Sequence, residues 1–154
     1  MGNEMIFLYK AIFFGLAAVI LIPKEFYKKY LIYGLFWGAI LDVLLTGILS
    51  GFLHWFQYKN MGSFNILNLI SFWTPLAWMF VFMYFFYCLP TRKLYLFFYI
   101  PSFGLFGYMV GLVLQNFGLF EYVGFYKYTA PFVLTGWFTL AAFAYRKAEK
   151  IPLE

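Results

Sequence analysis

LIYGLFWGAILDVLLTGILSGF, residues 31–52, is an apolar run whose only charge is Asp42. A helix needs about 20 apolar residues to cross the hydrocarbon core of a bilayer, and this run has that length. A carboxylate at that depth costs about 2.5–3.5 kcal/mol on insertion scales, so it marks a position kept for a reason. Every fourth residue through the run reads Gly34, Gly38, Asp42, Thr46, Ser50, His54. The ridge is small toward one end and polar from its middle to the other. Steps of four drift about 40° around an α-helix, so the stripe is expected to wind.

The rest of the chain has the same character. Of its 154 residues 65% are hydrophobic and 11% charged, where a soluble domain carries about a quarter charged. The expected solvent is therefore lipid. Aromatic residues make up 27%, and Lys outnumbers Arg nine to two. A coding bias toward Phe, Tyr, Ile, Lys and Asn explains both, so aromatic richness alone is weak support for a binding site. Cys88 is the sole cysteine, which excludes an intrachain disulfide and a thiolate metal site. The start lacks the basic n-region of a removable signal peptide, and Ile6 stands where a myristoylation signal needs Ser or Thr.

Five runs are expected to span: 5–22, 31–52, 67–89, 94–114 and 128–145. With no water to satisfy the backbone, such runs must be helices. The expectation is an all-α integral membrane protein, a single five-helix domain over 1–154 in a prokaryotic inner or plasma membrane. Lys24, Lys28, Lys29, Arg92 and Lys93 lie in the first and third connections, and Arg146, Lys147 and Lys150 in the tail. The opposite side holds only Lys59 and Lys127. This asymmetry predicts the N-terminus outside and the C-terminus in the cytoplasm. The +5 net charge then reflects orientation and contact with anionic lipid heads, not nucleic acid.

Small residues that permit close helix approach recur as Gly34/Gly38, Gly47/Gly51, and Gly104 with Gly107 and Gly111. Plain helix contact is their expected use. Pro75 and Pro101 fall inside expected spans and are expected to kink them.

Asp42 is expected near mid-membrane, with Thr46, Ser50 and His54 climbing from it to the outer surface. The third run supplies Asn65, Asn68, Ser71 and Thr74 at similar depth. Two polar half-helices at one depth are explained if they face each other or a wet cavity. Lys10, about two turns from the outer end of the first run, has two readings: an interior partner for Asp42, or a side chain reaching back to the headgroups, the reading the sequence favours. Asp42 is read equally as a functional acid or a structural one. His54 reads as an interfacial residue or helix cap. As the only histidine it excludes His-rich metal sites, and no cofactor is expected. Lys59, Glu121, Lys127 and the aromatics around them read as an interfacial belt with solvated charges.

No H-E-x-x-H, G-x-S-x-G, P-loop or dinucleotide fingerprint occurs. A Ser50–His54 pair above Asp42 imitates a nucleophile and base, but on one helix the geometry is poor. The stretch from Tyr58-Lys59-Asn60 through Gly62 to Pro75-Leu76-Ala77-Trp78 resembles a segment of membrane carotenoid-biosynthesis hydratases, which carry a Gly-containing outer loop before a Pro-Leu-Ala-Trp span. The likeness is confined to positions 58–78, and the chain is short for that family. The Trp-x-Phe-Gly-Pro-Val-Trp signature of tryptophan-rich sensory proteins is absent.

Three classes of function stay open. The leading expectation is binding or translocation of a proton, cation or small amphipathic ligand through an outward vestibule ending at Asp42. It would use Asp42, Thr46, Ser50, His54, Asn65, Asn68, Ser71 and Lys10. The second is a membrane enzyme on a lipid or isoprenoid, weakened by too few ionisable groups for paired acid–base work. The third is an accessory subunit packing on a larger membrane partner or on copies of itself.

Overall fold

The computed structural model describes residues 2–154, which are mostly helical. Five helices follow one another: α1 (Met5–Leu21), α2 (Lys24–Phe52), α3 (Trp73–Tyr87), α4 (Lys93–Asn116) and α5 (Tyr126–Ala148). Four short strands lie between them, β1 (Phe56–Tyr58), β2 (Asn65–Ile66), β3 (Ile70–Ser71) and β4 (Phe120–Tyr122). Two helices, α2 and α4, are both long and apolar enough to cross a membrane; α1 and α3 are shorter, at 17 and 15 residues.

The centre of the bundle is α3, which packs on α1 and α2. Its Val81, Phe82 and Phe85 are fully buried, and Phe82 stacks on Phe138 of α5 with ring centroids 4.6 Å apart. Gly34 and Gly38 let α2 lie directly on the α3 backbone. A Cβ on Gly38 would stand 2.5 Å from the Trp78 carbonyl oxygen. Gly104 likewise admits the Thr135 backbone of α5, so both glycine faces serve close approach.

The third run departs from its expected span. Helix over 67–89 is found only as Trp73–Tyr87; residues before it form the antiparallel β2–β3 hairpin, Asn65 paired with Ser71 and Ile66 with Ile70. Its tip holds Leu67 and Asn68 at φ 52° and 55°, the left-handed region. The Asn65 side chain fixes the turn, donating to the Gly62 carbonyl at 2.8 Å and accepting from the Asn68 amide at 2.9 Å. Pro75 consequently sits in the first turn of α3, where a backbone N–H would have no intrahelical partner, and not inside the helix as expected. Pro101 does lie inside α4, and Pro131 inside α5.

The ridge on α2 does not wind as expected. Helix α2 contains two π-helical stretches, Leu35–Ile40 and Gly47–Phe52, flanking the α-helical Leu41–Thr46. Their wider turns, closed by i→i+5 bonds such as Leu41 N–H to Phe36 C=O, offset the drift of a four-residue step. Gly34, Gly38, Asp42, Thr46 and Ser50 are all buried while their neighbours are half-buried or exposed. The stripe therefore runs straight down one face. It ends at His54, which is exposed at φ 54° beyond the helix.

Side-chain and backbone contacts gather the connections at two ends. At one, Asn3 and Asn60 donate to the Phe117 and Gly118 carbonyls, and β1 pairs with β4. At the other, Lys29 pairs with Glu149 at 2.6 Å, and Arg146 donates to the carbonyls of Pro90, Thr91 and Pro152.

Candidate functional site

Strands β1 and β4 carry the same pattern, Phe56-Gln57-Tyr58 and Phe120-Glu121-Tyr122, in register Phe56↔Tyr122, Gln57↔Glu121, Tyr58↔Phe120. Side chains alternate across a strand. Gln57 and Glu121 are accordingly exposed, while the four aromatic rings turn toward the helices. Lys59 forms an ion pair with Glu121 on the outer side. The sequence reading of these residues as an interfacial belt is thus incomplete. The charges are solvated, but the rings roof a cavity.

That cavity has a volume of about 70 Å³ and opens to the surface. Thr46 and Asp42 enter it from α2, Lys10 from α1, Trp78 from α3, and Tyr126 and Trp137 from α5. Gly107 and Gly111 line the α4 side, and the absence of a side chain at Gly111 leaves room for the Tyr122 hydroxyl to donate to the Tyr108 carbonyl at 3.2 Å. Beside the cavity, an apolar groove between α1 and α4 shares Lys10, Val110 and Leu114 with it.

Asp42 is only 5% exposed, and its Oδ2 has no hydrogen-bond partner. Trp137 is 8% exposed, and its indole N–H is also unpartnered. Buried polar groups are ordinarily satisfied, so each such exception needs an explanation. Lys10 turns inward: its amine donates to Thr74 Oγ1 at 3.3 Å and lies 5.4 Å from the centre of the Phe7 ring. It is thus not directed away to a headgroup, as the sequence had favoured. No ion-pair contact within 4.0 Å joins it to Asp42. Burial, and secondarily the Asp42 charge, push the Tyr58 hydroxyl well above its usual 10.0. Tyr58 therefore stays protonated beside the carboxylate.

The remaining expected site residues lie elsewhere. Ser50, His54 and Asn68 line a separate space of about 210 Å³ that shares Tyr58 with the main cavity. Asn65 holds the hairpin turn, and Ser71 is fully buried in β3 with its Oγ unpartnered. The two polar half-helices facing each other do not form, because positions 65–71 are not helical. Among the described residues no hydrogen bond links Ser50, His54 and Asp42, and no three His, Cys, Asp or Glu side chains gather as metal ligands.

Chemically, the cavity sets one carboxylate acceptor, one ammonium donor and an indole N–H inside aromatic walls. An acidic side chain in a cavity walled by aromatic residues suits an ammonium group, through charge and through cation–π attraction. No protein-family model matches the chain, and neither a curated protein nor a solved structure shows significant similarity to it.

Proposed function

We propose that this is a five-span membrane protein that binds a small amphipathic ligand carrying a cationic group. The cavity beneath the β1–β4 ribbon is the binding site and Asp42 the counter-charge. The observation that carries this reading is the buried, unpartnered Asp42 Oδ2 aimed into an aromatic cavity. A carboxylate kept unsatisfied there forgoes stability, since an unmet buried acceptor costs about 1–3 kcal/mol or more when charged. Binding a cation recovers that loss.

Support for the membrane comes from α2 and α4, and from the apolar residues left on the outside. Phe13, Ile20, Phe52, Phe97 and Phe132 are each more than two-thirds exposed. So many large apolar side chains left exposed are unusual for a protein surrounded by water. Short α3 is surrounded by other helices. The basic segments around Lys29, Arg92 and Arg146 share one end, and the positive-inside rule assigns that end to the cytoplasm. The ribbon and the N-terminus then face outward, in a prokaryotic inner or plasma membrane.

The test uses detergent-purified protein and phenethylamine, a ring bearing one ammonium. It should raise the melting temperature of the native protein, and Asp42→Asn should keep its helical circular dichroism while losing that shift. An equal shift in Asp42→Asn would remove Asp42 from the site and defeat the proposal.

A further inference from the structure

We infer that the ligand of this cavity is a zwitterion, an α-amino acid with an apolar side chain or a close analogue. The inference rests on the cavity being a ligand site at all. Its basis is the arrangement of Lys10 and Asp42. Both charged groups reach one aromatic cavity from different helices, yet no ion-pair contact within 4.0 Å joins them. The Lys10 amine is held by Thr74 Oγ1 at 3.3 Å, on α3, while Asp42 Oδ2 has no partner.

Each of the two groups, when charged, lacks a counter-charge at contact distance in this buried space. A ligand with a single positive charge meets Asp42 but is repelled by Lys10. A single negative charge has the reverse difficulty. A molecule carrying both charges a few bonds apart satisfies both groups together, with its ammonium on Asp42 and its carboxylate on Lys10. The unpartnered Trp137 indole N–H supplies a further donor for a carboxylate oxygen. The ring faces of Trp78, Trp137 and Tyr126 then receive an apolar side chain. The lining carries no amide side chain, and its hydroxyls are those of Thr46, Tyr58, Tyr122 and Tyr126.

The test compares three ligands of equal ring size by thermal shift in detergent. Phenylalanine carries both charges, phenethylamine lacks the carboxylate, and 3-phenylpropionate lacks the amine. Phenylalanine methyl ester serves as a control that keeps the amine and masks the anion without altering the protein. Phenylalanine is expected to bind at least tenfold more tightly than any of the other three. Lys10→Met should bring phenylalanine down to the level of phenethylamine, and Asp42→Asn should abolish binding of both. If phenethylamine and the ester bind as tightly as phenylalanine, the zwitterion is wrong while the cation site stands. If 3-phenylpropionate alone matches phenylalanine and Asp42→Asn has no effect, or if none of the four binds, both readings fall.

Discussion

Gly38 lies on Met79 with no space between the two backbones: a Cβ at position 38 would stand 2.6 Å from the Met79 Cα. This contact sets the depth at which α2 presents Asp42, one turn further along the same buried face. Gly38→Val should therefore force α2 away from α3 and lower stability by about 1–3 kcal/mol, the usual cost of overpacking. Gly47, on the same helix, has nothing within 4 Å of its would-be Cβ. Gly47→Ala should be neutral or slightly stabilising, as expected where Ala replaces an unobstructed helical Gly. Thermal denaturation of both variants in detergent checks the pair, and equal losses would contradict the packing described.

Asp42 and Lys10 should show non-additive stability. Removing one partner of a buried charge pair costs about 3–5 kcal/mol, whereas replacing both with apolar groups is often neutral. These two are not in direct contact, so the single losses should fall below that range. Lys10→Met is expected to lower the melting temperature by leaving Asp42 without a counter-charge, and Asp42→Leu, which also removes the unmet Oδ2, to lower it less. The double variant should recover to the native value or above it. Strict additivity would mean the two charges do not sense each other.

Orientation is open to chemical labelling. With Cys88 replaced by Ser, a cysteine at Lys59 should react with a membrane-impermeant maleimide applied to intact cells. A cysteine at Lys147 should react only after lysis. The reverse pattern would invert the assignment drawn from the clustering of basic segments near Glu149 and Pro90.

Much of the helical framework is legible in the chain because apolar length is a sum over neighbours and tolerates local error. The four-residue ridge from Gly34 to Ser50 is equally legible as a list of small and polar residues. Its straightness is not, since the π stretches at Leu35–Ile40 and Gly47–Phe52 depend on how α2 seats on α3. The hairpin before Trp73 is hidden for a different reason. Leu67, Leu69 and Ile70 count as apolar whether or not their backbone is helical, and hydropathy does not register hydrogen bonding. The cavity roof did leave a signal, the repeated Phe-x-Tyr at 56–58 and 120–122. A period of two over three residues becomes readable only when both strands are seen paired.

The basic end should respond to acid through Glu149. Its carboxyl is held below the ordinary 4.5, first by the Lys29 hydrogen bond and then by Tyr33, whose hydroxyl donates at 2.8 Å. A carboxylate with a lowered folded value contributes stability above the unfolded value, and that contribution disappears as pH falls through the folded one. Exposed pairs of this kind are worth about 0.2–1 kcal/mol. Native protein should melt slightly higher than Glu149→Gln at pH 7, and the two should converge below pH 4.5. A gap that persists in acid would mean that Glu149 acts by packing rather than by charge.

The ribbon should act as a closure over the cavity. Gln57 and Glu121 are direct partners across β1 and β4 on the exposed side, opposite the aromatic rings that roof the site. Cysteines at both positions, in a Cys88→Ser background, place two thiols across one strand pair without touching the lining. Oxidation should then fix the ribbon shut. If ligands pass beneath it, the crosslinked protein should exchange phenylalanine far more slowly than the reduced form, at similar affinity once equilibrium is reached. The apolar groove between α1 and α4 offers the competing route, because it meets the cavity at Lys10, Val110 and Leu114. Unchanged exchange after crosslinking, together with slowing by Val110→Trp, would move the path from the outer face to the side of the bundle.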